Sequence, residues 1–261
     1  MTALTVVKIG GSLLNDEKTR ASALKSIADR WRSGGETVLV HGGGKNIDRA
    51  LSRAGIISTF VQGLRVTDEA TLEIAAGVLS GYLNKTLVAE LAQIGVAAAG
   101  ISGADGQTLG ARFHPDVDGQ SLGFVGEVVS SNPRLVQAIL RAHLLPVVSS
   151  IAVNSDSAQL LNVNADSAAA ALAASLQASK LVFLTDVEGL LDAQGSVVPA
   201  LQLAEAQSLL GSKAVTGGMR PKLLAAIDAL RRGVTEVIIA GPSRHGSSLS
   251  QGIGGTHLVA A

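Results

Sequence analysis

No cysteine occurs in the 261 residues, which excludes disulfides, thiolate metal sites and cysteine nucleophiles together. Aromatic residues make up only 2% of a chain that is 47% hydrophobic, so the core has to be built from Ala, Val, Leu and Ile. Small side chains of that kind suit helices packed closely on a parallel sheet. No window approaches the roughly eighteen uninterrupted apolar residues of a membrane span. Neither charge predominates: Lys+Arg and Asp+Glu both total 21, and the formal net charge is zero. That leaves no basic footprint for nucleic acid and no polybasic surface for a membrane. The apolar stretch 4–9 begins with no basic segment before it, which is not the pattern of a signal peptide. A soluble cytoplasmic protein is expected.

The stretch on which the rest is organised is 161–192, LNVNADSAAAALAASLQASKLVFLTDVEGLLD. Asn162 and Asp166 open it, an alanine-rich helix and an apolar strand follow, and an acidic loop with a glycine closes it. The polar residues fall at the element ends, and in an open α/β sheet ligands bind beyond the carboxyl ends of the strands. Asn162 and Asp166 are therefore read as facing a small polar substrate, and residues 185–191 as facing a nucleotide.

Upstream, apolar runs at 5–9, 37–40, 96–101 and 145–149 alternate with helical patterns at 16–31, 45–54, about 67–94 and 133–143. This rhythm predicts parallel strands with crossover helices. Gly77 and Gly81 lie inside the long helical pattern, where small residues suit close helix–helix approach, including approach between subunits, but also weaken a helix. Segments 108–130 and 151–163 read as hairpin excursions. The last third carries strands at 180–185 and 236–240 and helices at 203–210 and 221–232. A lobe boundary near Ser179 divides the chain into 1–178 and 179–261, joined by a shared sheet and not by a tether.

Two glycine-rich turns follow the first two strands, Gly10-Gly11 and Gly42-Gly43-Gly44. Glycine lets backbone N–H groups approach an anion, and a helix start adds favourable potential. Neither turn has the usual phosphate-loop spacing, so a plain tight turn stands beside the anion-binding reading. Lys8 lies inside a strand and either snorkels outward or serves a polar site. Lys222 follows a Gly-Gly at a helix start, a poor place for a cation unless an anion is also there, and a solvated lysine is the plain alternative. Asp166 either pairs with these lysines or caps the alanine-rich helix. Arg65 is either a surface arginine or a fork for a carboxylate. The five histidines show no metal-binding spacing, and His41, beside the glycines, is read as fixing loop geometry. No G-x-S-x-G elbow is present, which makes hydrolase readings poor.

Taken in order, VVKIGGSLL, VLVHGGGKNID, GLRVTDEATLEI, LNKTLV, LPVVSSIAV, LNVNADSAAAALAA, LTDVEGLLD and GGMRPK resemble the amino acid kinase family over nearly the whole chain. The resemblance implies a three-layer αβα sandwich on a mainly parallel sheet of roughly eight strands. It implies transfer of the γ-phosphoryl of MgATP to the side-chain carboxylate of N-acetyl-L-glutamate, giving N-acetyl-L-glutamyl 5-phosphate and ADP in arginine biosynthesis. Residues 1–178 would bind the acylated amino acid and form a homodimer, and 179–261 would bind ATP.

Carried over by position, Lys8 resembles the lysine on the transferring phosphoryl group, Lys222 the one on the leaving side, and Asp166 the aspartate that orients both. Gly11 and Gly44 resemble backbone donors to the phosphoryl group, with Gly43 and Gly44 lining the substrate. Arg65 and Asn162 match residues that hold its α-carboxylate and acetamido region. Thr185, Asp186, Val187, Glu188, Gly189 and Leu190, with Ala214, Val215 and Thr216, match stretches around the nucleotide. Magnesium would ride on the ATP phosphates, with no direct protein ligand named.

Two further readings are open: a kinase for a longer acyl amino acid such as N-acetyl-aminoadipate of the lysine pathway, and a non-catalytic nucleotide- or amino-acid-binding regulator. Arginine-inhibited family members carry an extra helix before the first strand, which here begins almost at once. A dimer that arginine does not inhibit is therefore expected. Arg220 adds a cation without an assigned role, and the tail 252–261 matches the family only through Gly-Thr.

Overall fold

The computed structural model describes residues 3–192, 194–211, 217–241, 249 and 253–260, Ser12 in its backbone only. An eight-stranded sheet runs, edge to edge, Ala200–Gln202, Thr256–Val259, Glu236–Ala240, Lys180–Leu184, Thr5–Ile9, Thr37–His41, Leu145–Ser149 and Ala98–Ser102. Neighbours are parallel except for Glu236–Ala240 against Thr256–Val259, so the expected mainly parallel architecture is present. The first strand is central. From it the chain builds outward through Thr37–His41 on one side, then returns to its other side at Lys180–Leu184. The order reverses at that strand, and Lys8 lies on it.

Strand periodicity of two divides the core into two layers. Val6, Val38, Val40, Leu181, Phe183 and Ile239 face one helical layer, which includes Ala165–Ser175 and Met219–Arg231. Val7, Ile9, Leu39, Val182, Leu184 and Ile238 face the other, which includes Glu17–Arg32 and Asn84–Gln93. The alanines Ala168–Ala173 explain the scarcity of large side chains: all but the leucine are methyl-sized and buried, letting this helix sit close to the sheet and to Met219–Arg231. Lys8 shares the Val6 face by alternation, and so points toward the layer that carries Asp166 and Lys222.

The structure differs from the sequence expectations in four places. The helical run through 67–94 is three pieces, Glu69–Ala76, a π-helical stretch Gly77–Leu83, and Asn84–Gln93. Gly77 and Gly81 answer no contact within the chain, since a Cβ at either would meet nothing within 4 Å. The two expected hairpins, Leu109–Phe113 with Val125–Ser131 and Ile151–Asn154 with Leu160–Val163, are present, but they also pair in parallel with each other and close a four-stranded barrel. Phe60–Val61 and Leu64–Arg65 form a short hairpin that turns at Gln62 and Gly63, both with positive φ, the pattern of a primed turn. Finally, Ala200–Gln202 and Thr256–Val259 extend the sheet by two strands with too few residues to show a period. Among the described residues no helix is long and apolar enough to cross a membrane.

Candidate active site

Lys8, Asp166 and Lys222, separated widely in sequence, meet at the carboxyl edge of the sheet. Lys8 Nζ lies 2.8 Å from Asp166 Oδ1. Lys222 Nζ donates to both oxygens of the same carboxylate at 3.4 Å. Their exposures are 8%, 6% and 7%, which removes the solvated alternatives for both lysines. Lys222 also lies 5.5 Å from the Phe183 ring centroid, an additional cation–π contact on its inner side.

Asp166 is free for this role because Asn164 performs the capping. The Asn164 side chain accepts from the Asp166 and Ser167 N–H groups at 2.8 and 3.1 Å and so starts the helix Ala165–Ser175. The Asp166 carboxylate, in the first turn, is then aimed at the strand. Burial on its own would raise the Asp166 carboxyl, but attraction to Lys8 and Lys222 holds it below its ordinary value of 3.8. Burial pushes the Lys222 ammonium down, against the pull of Asp166, and repulsion from Lys8 adds to the push. Two buried ammonium groups against one carboxylate leave an excess positive charge in a desolvated place, which an anion would neutralise.

The glycine turns border this triad. A Cβ at Gly10 would stand 2.6 Å from Lys8 Nζ, so a bare Gly10 is what lets the ammonium reach its position. Gly11 holds φ +56°, opening the short 3₁₀ turn Gly11–Leu14. In the second turn, Gly43 stands at the N-cap of Gly44–Arg53 and offers no side-chain cap. Its helix begins with the N–H groups of Gly44 and Lys45 ahead of the first intrahelical bonds, the place where an anion is favoured. A Cβ at Gly43 would stand 2.6 Å from Leu83 Cδ2 and 2.8 Å from Leu79 Cδ2, so the turn lies tight on the π-helical stretch. A side-chain bridge joins the two turns: Asn15 Nδ2 donates to the Gly11 carbonyl at 2.6 Å and Asn46 Nδ2 to Asn15 Oδ1 at 3.2 Å.

Arg65 is 8% exposed and not a surface residue. Nη1 donates to Asp48 Oδ1 at 2.6 Å and to Ser58 Oγ at 2.5 Å, while Nη2 donates to the Gly44 carbonyl at 3.1 Å. Its guanidinium also lies 4.6 Å from the Phe60 ring centroid. Burial acts to raise the Asp48 carboxyl, but hydrogen bonds from Arg65 and Ser58 hold it below its ordinary value. Asn162 reaches the same region, donating to Thr67 Oγ1 at 3.4 Å, and Thr67 Oγ1 in turn donates to the Arg65 carbonyl at 2.9 Å. Gly123 is required beneath it: with φ +66°, a Cβ there would run into the Thr67 carbonyl.

Residues 185–190 follow the strand Lys180–Leu184 at the same edge. Thr185 N–H donates to the Ala240 carbonyl at 2.9 Å, and Asp186, Val187 and Glu188 are exposed. The field of Asp186 reaches Lys222 and favours its charged form. Leu190 turns its side chain into the core, and its N–H donates to Thr256 Oγ1 at 2.8 Å, so the far end of this loop is fixed on the strand Thr256–Val259. Gly189 has no room for a Cβ, which would stand 2.7 Å from Thr256 Oγ1. Ala214, Val215 and Thr216 fall outside the described residues. Arg220 does not enter the triad: its Nη1 donates to the Leu210 carbonyl at 2.7 Å and holds the end of the helix Leu203–Leu209.

The sequence profile described as the amino acid kinase family matches residues 3–241. The chain belongs to the amino acid kinase family. It is similar to the acetylglutamate kinase of Acidobacterium capsulatum, 44% identical over 234 residues that cover 90% of this chain and 89% of that one. The acetylglutamate kinase of Brevibacillus brevis is 41% identical over 243 residues, with 92% and 89% covered. Among solved structures, an N-acetylglutamate synthase from Neisseria gonorrhoeae, complexed with coenzyme A and N-acetyl-glutamate, aligns with a TM-score of 0.83 at 27% identity. That alignment covers 99% of this chain and 60% of the synthase.

Asn15, Asn46, Asp48, Ser58 and Thr67 complete the surroundings of this amino acid kinase site; Asn15 and Ser58 lie outside every motif that carries the resemblance, and Thr67 lies inside GLRVTDEATLEI. Asn46 and Asp48 do fall inside the glycine-turn motif, at helical spacing from Gly44, but only the folded hairpin Phe60–Arg65 shows what Asp48 faces.

Proposed function

We propose that the chain catalyses transfer of the γ-phosphoryl of ATP to the side-chain carboxylate of N-acetyl-L-glutamate, an early step of arginine biosynthesis in the cytoplasm. The observation that carries this reading is the buried Lys8–Asp166–Lys222 cluster, two ammonium groups on one carboxylate, set between two helix starts without side-chain caps. Acyl-phosphate formation asks the protein mainly to position the reactants and to neutralise charge. A carboxylate oxygen bonds to the γ-phosphorus as the bond to the β–γ bridging oxygen breaks. No proton moves at the attacking atom, so no general base is needed.

In this reading Lys8 contacts the transferring phosphoryl group, Lys222 the leaving side, and Asp166 orients both. The N–H groups of Gly11 and Gly44 donate to the phosphoryl oxygens, and Gly43 and Gly44 line the acyl amino acid. Arg65 binds the α-carboxylate, with Asp48 and Ser58 fixing the guanidinium plane, and Asn162 meets the acetamido region. Thr185, Asp186, Val187, Glu188, Gly189 and Leu190 border the nucleotide, Leu190 through its backbone, joined by Ala214, Val215 and Thr216. Residues 1–178 serve the acyl amino acid and the contact of a homodimer, and 179–261 the nucleotide. Among the described residues no three His, Asp or Glu side chains converge as a metal-binding group. In this reading magnesium is carried on the ATP phosphates, where it would neutralise charge on the leaving group.

Hydroxylamine trapping tests the reaction. The chain with MgATP and N-acetyl-L-glutamate should yield the acyl hydroxamate, and Lys8→Ala should lower kcat by about a hundredfold or more, the loss seen for one donor to developing charge. A parallel assay with N-acetyl-aminoadipate separates the longer substrate. Nucleotide binding without hydroxamate from either substrate would overturn the kinase reading in favour of a regulator.

A further inference from the structure

We propose that His41 and Asn84 are positioning residues that set the Gly42–Gly44 turn, acting through the Gly42 carbonyl. The proposal rests on the kinase reading of that turn.

Both residues are fully buried, and their hydrogen-bond partners are outside the Lys8–Asp166–Lys222 cluster. His41 Nδ1 lies 3.0 Å from the Gly42 carbonyl oxygen, and His41 Nε2 lies 3.1 Å from Asn84 Nδ2. The orientation of the Asn84 amide is fixed independently. Its nitrogen donates to the carbonyls of Ile101 and Val147 at 3.2 and 3.0 Å, and its oxygen accepts from Lys85 Nζ at 3.0 Å. An NH₂ group, which cannot accept, therefore faces Nε2 and shares its two hydrogens among Ile101, Val147 and the ring, so Nε2 has to present a lone pair, while a carbonyl faces Nδ1, which has to carry the proton. Both ends of the ring select the same species, a neutral imidazole protonated on Nδ1. Burial, with a smaller push from Lys85, takes His41 down to about 4 against the pull of the Gly42 hydrogen bond. Lys85 is the charged group bearing on the ring among the described residues.

Lys85 Nζ also donates to the Gly100 carbonyl at 2.7 Å, and Gly100 has no room for a Cβ, which would overlap Asn84 Oδ1. The neighbouring strand thus closes around the amide. Leu79 and Leu83 press on Gly43 from the same π-helical stretch that delivers Asn84. The stretch Gly77–Leu83 thereby supports the turn on both sides: leucines against its glycine, and an amide under its histidine. Wider winding of this kind is frequent at functional sites. The turn's own N–H at Gly42 is spent on the Ile9 carbonyl at 3.3 Å, so the two glycine turns share one frame. Rotation of the Gly42 peptide would swing the Gly43 and Gly44 N–H groups away from the reacting phosphoryl, and a misplacement of about 1 Å can cost a hundredfold in rate.

The deciding measurement is nitrogen NMR of the whole chain labelled at histidine. His41 should show a pyrrole-type Nδ1 and a pyridine-type Nε2, unchanged between about pH 5.5 and 8. An Nε2-protonated ring, or titration in that range, overturns the proposal, and this reading needs no variant to fold. Kinetics add the functional half. His41→Gln places an amide at the Nε2 position and loses the Gly42 contact, so kcat should fall about ten- to a hundredfold with KM for ATP within about threefold. His41→Asn keeps a donor at the Nδ1 position and should recover most of that kcat. Equal loss in both variants, or KM rising in step, would make His41 a packing residue and overturn the positioning role. If the unaltered chain forms no hydroxamate, the kinase reading fails on its own, while the tautomer still reports whether this hydrogen-bond chain exists.

Discussion

Replacing Asp166 by asparagine keeps the shape of the side chain and removes its charge, which isolates what the carboxylate does between Lys8 and Lys222. Both ammonium groups lie within 2.8–3.4 Å of it and all three residues are buried. Removing one member of a buried ion cluster leaves the others uncompensated, at a cost of about 3–5 kcal/mol. For a chain of this size each kcal/mol lowers Tm by about 2–4 °C, so Asp166→Asn should melt roughly 6–20 °C below the unaltered protein. The two lysines would then repel each other without a tie, and an added anion should matter more. Orthophosphate or ADP should raise the Tm of Asp166→Asn by more than it raises that of the parent, because the anion binds a native state with a larger unneutralised charge. Hydroxamate formation should fall by at least about a hundredfold, or roughly 2.7 kcal/mol of barrier. A variant that melts within about 2 °C of the parent and turns over normally would refute the whole electrostatic account.

The same variant has a pH signature. The folded Asp166 carboxyl sits below 3.8, so its contribution to stability is present above the unfolded value and is lost as pH falls through the lower, folded one. The acid limb of stability should therefore be shallower in Asp166→Asn. The Lys222 ammonium is also depressed, below 10.5, and here the sign is the reverse of a benefit. The unfolded chain holds that proton more tightly, so this group costs stability at neutral pH, and the cost is relieved as pH rises toward 10.5. Chemical denaturation across pH would show both slopes, and identical acid limbs in parent and variant would exclude Asp166 as their source.

Three further outcomes follow from single contacts. Gly10→Ala places a methyl 2.6 Å from Lys8 Nζ, so kcat should drop about ten- to a hundredfold while Tm changes little, since a flexible ammonium and not backbone has to yield. Arg65→Lys loses the fork that joins Asp48, Ser58 and Gly44, and KM for the acyl amino acid should rise about thirtyfold, on the order of 2 kcal/mol, with kcat changed less. Asn164→Ala removes the cap of Ala165–Ser175 and should cost about 1 kcal/mol, with a loss of activity beyond that expected from Tm because Asp166 sits in the freed turn. Normal KM in Arg65→Lys, or normal kcat in Gly10→Ala, would count against the corresponding assignment.

What the sequence made legible was governed by local chemistry. The apolar runs Thr5–Ile9 and Lys180–Leu184, the alanine run and the glycine turns each constrain their own backbone, and the parallel sheet follows from their order. The position of Lys8 on the Val6 face was implicit in the strand period of two. What stayed hidden depended on pairings between segments that do not constrain each other locally. The four-stranded barrel needs Asn162 beside Val125 and Gly110 beside Val153, and neither register has a signature in either strand alone. The π-helical stretch keeps the apolar spacing of an ordinary helix, so its different winding shows only where Leu79 and Leu83 meet Gly43.

The two lysines illustrate why a single ambiguous residue can become decisive in combination. Alone, Lys8 and Lys222 were each as compatible with solvent as with a site, because an ammonium on a flexible stem reaches either. Their burial is tolerable only if something compensates them, and Asp166 compensates one charge of two. The field of Asp186 adds to the support of Lys222 from the exposed loop, but inside the buried cluster two ammonium groups share one carboxylate, which favours an anion there. Asn164 is what makes this arrangement possible: by satisfying the helix start itself, it releases Asp166 from capping and commits the carboxylate to the lysines. In Asn164→Ala the carboxylate would have a competing task, and the sign of that competition, a fall in turnover larger than the fall in stability, distinguishes a division of labour between the two residues from simple loss of a cap.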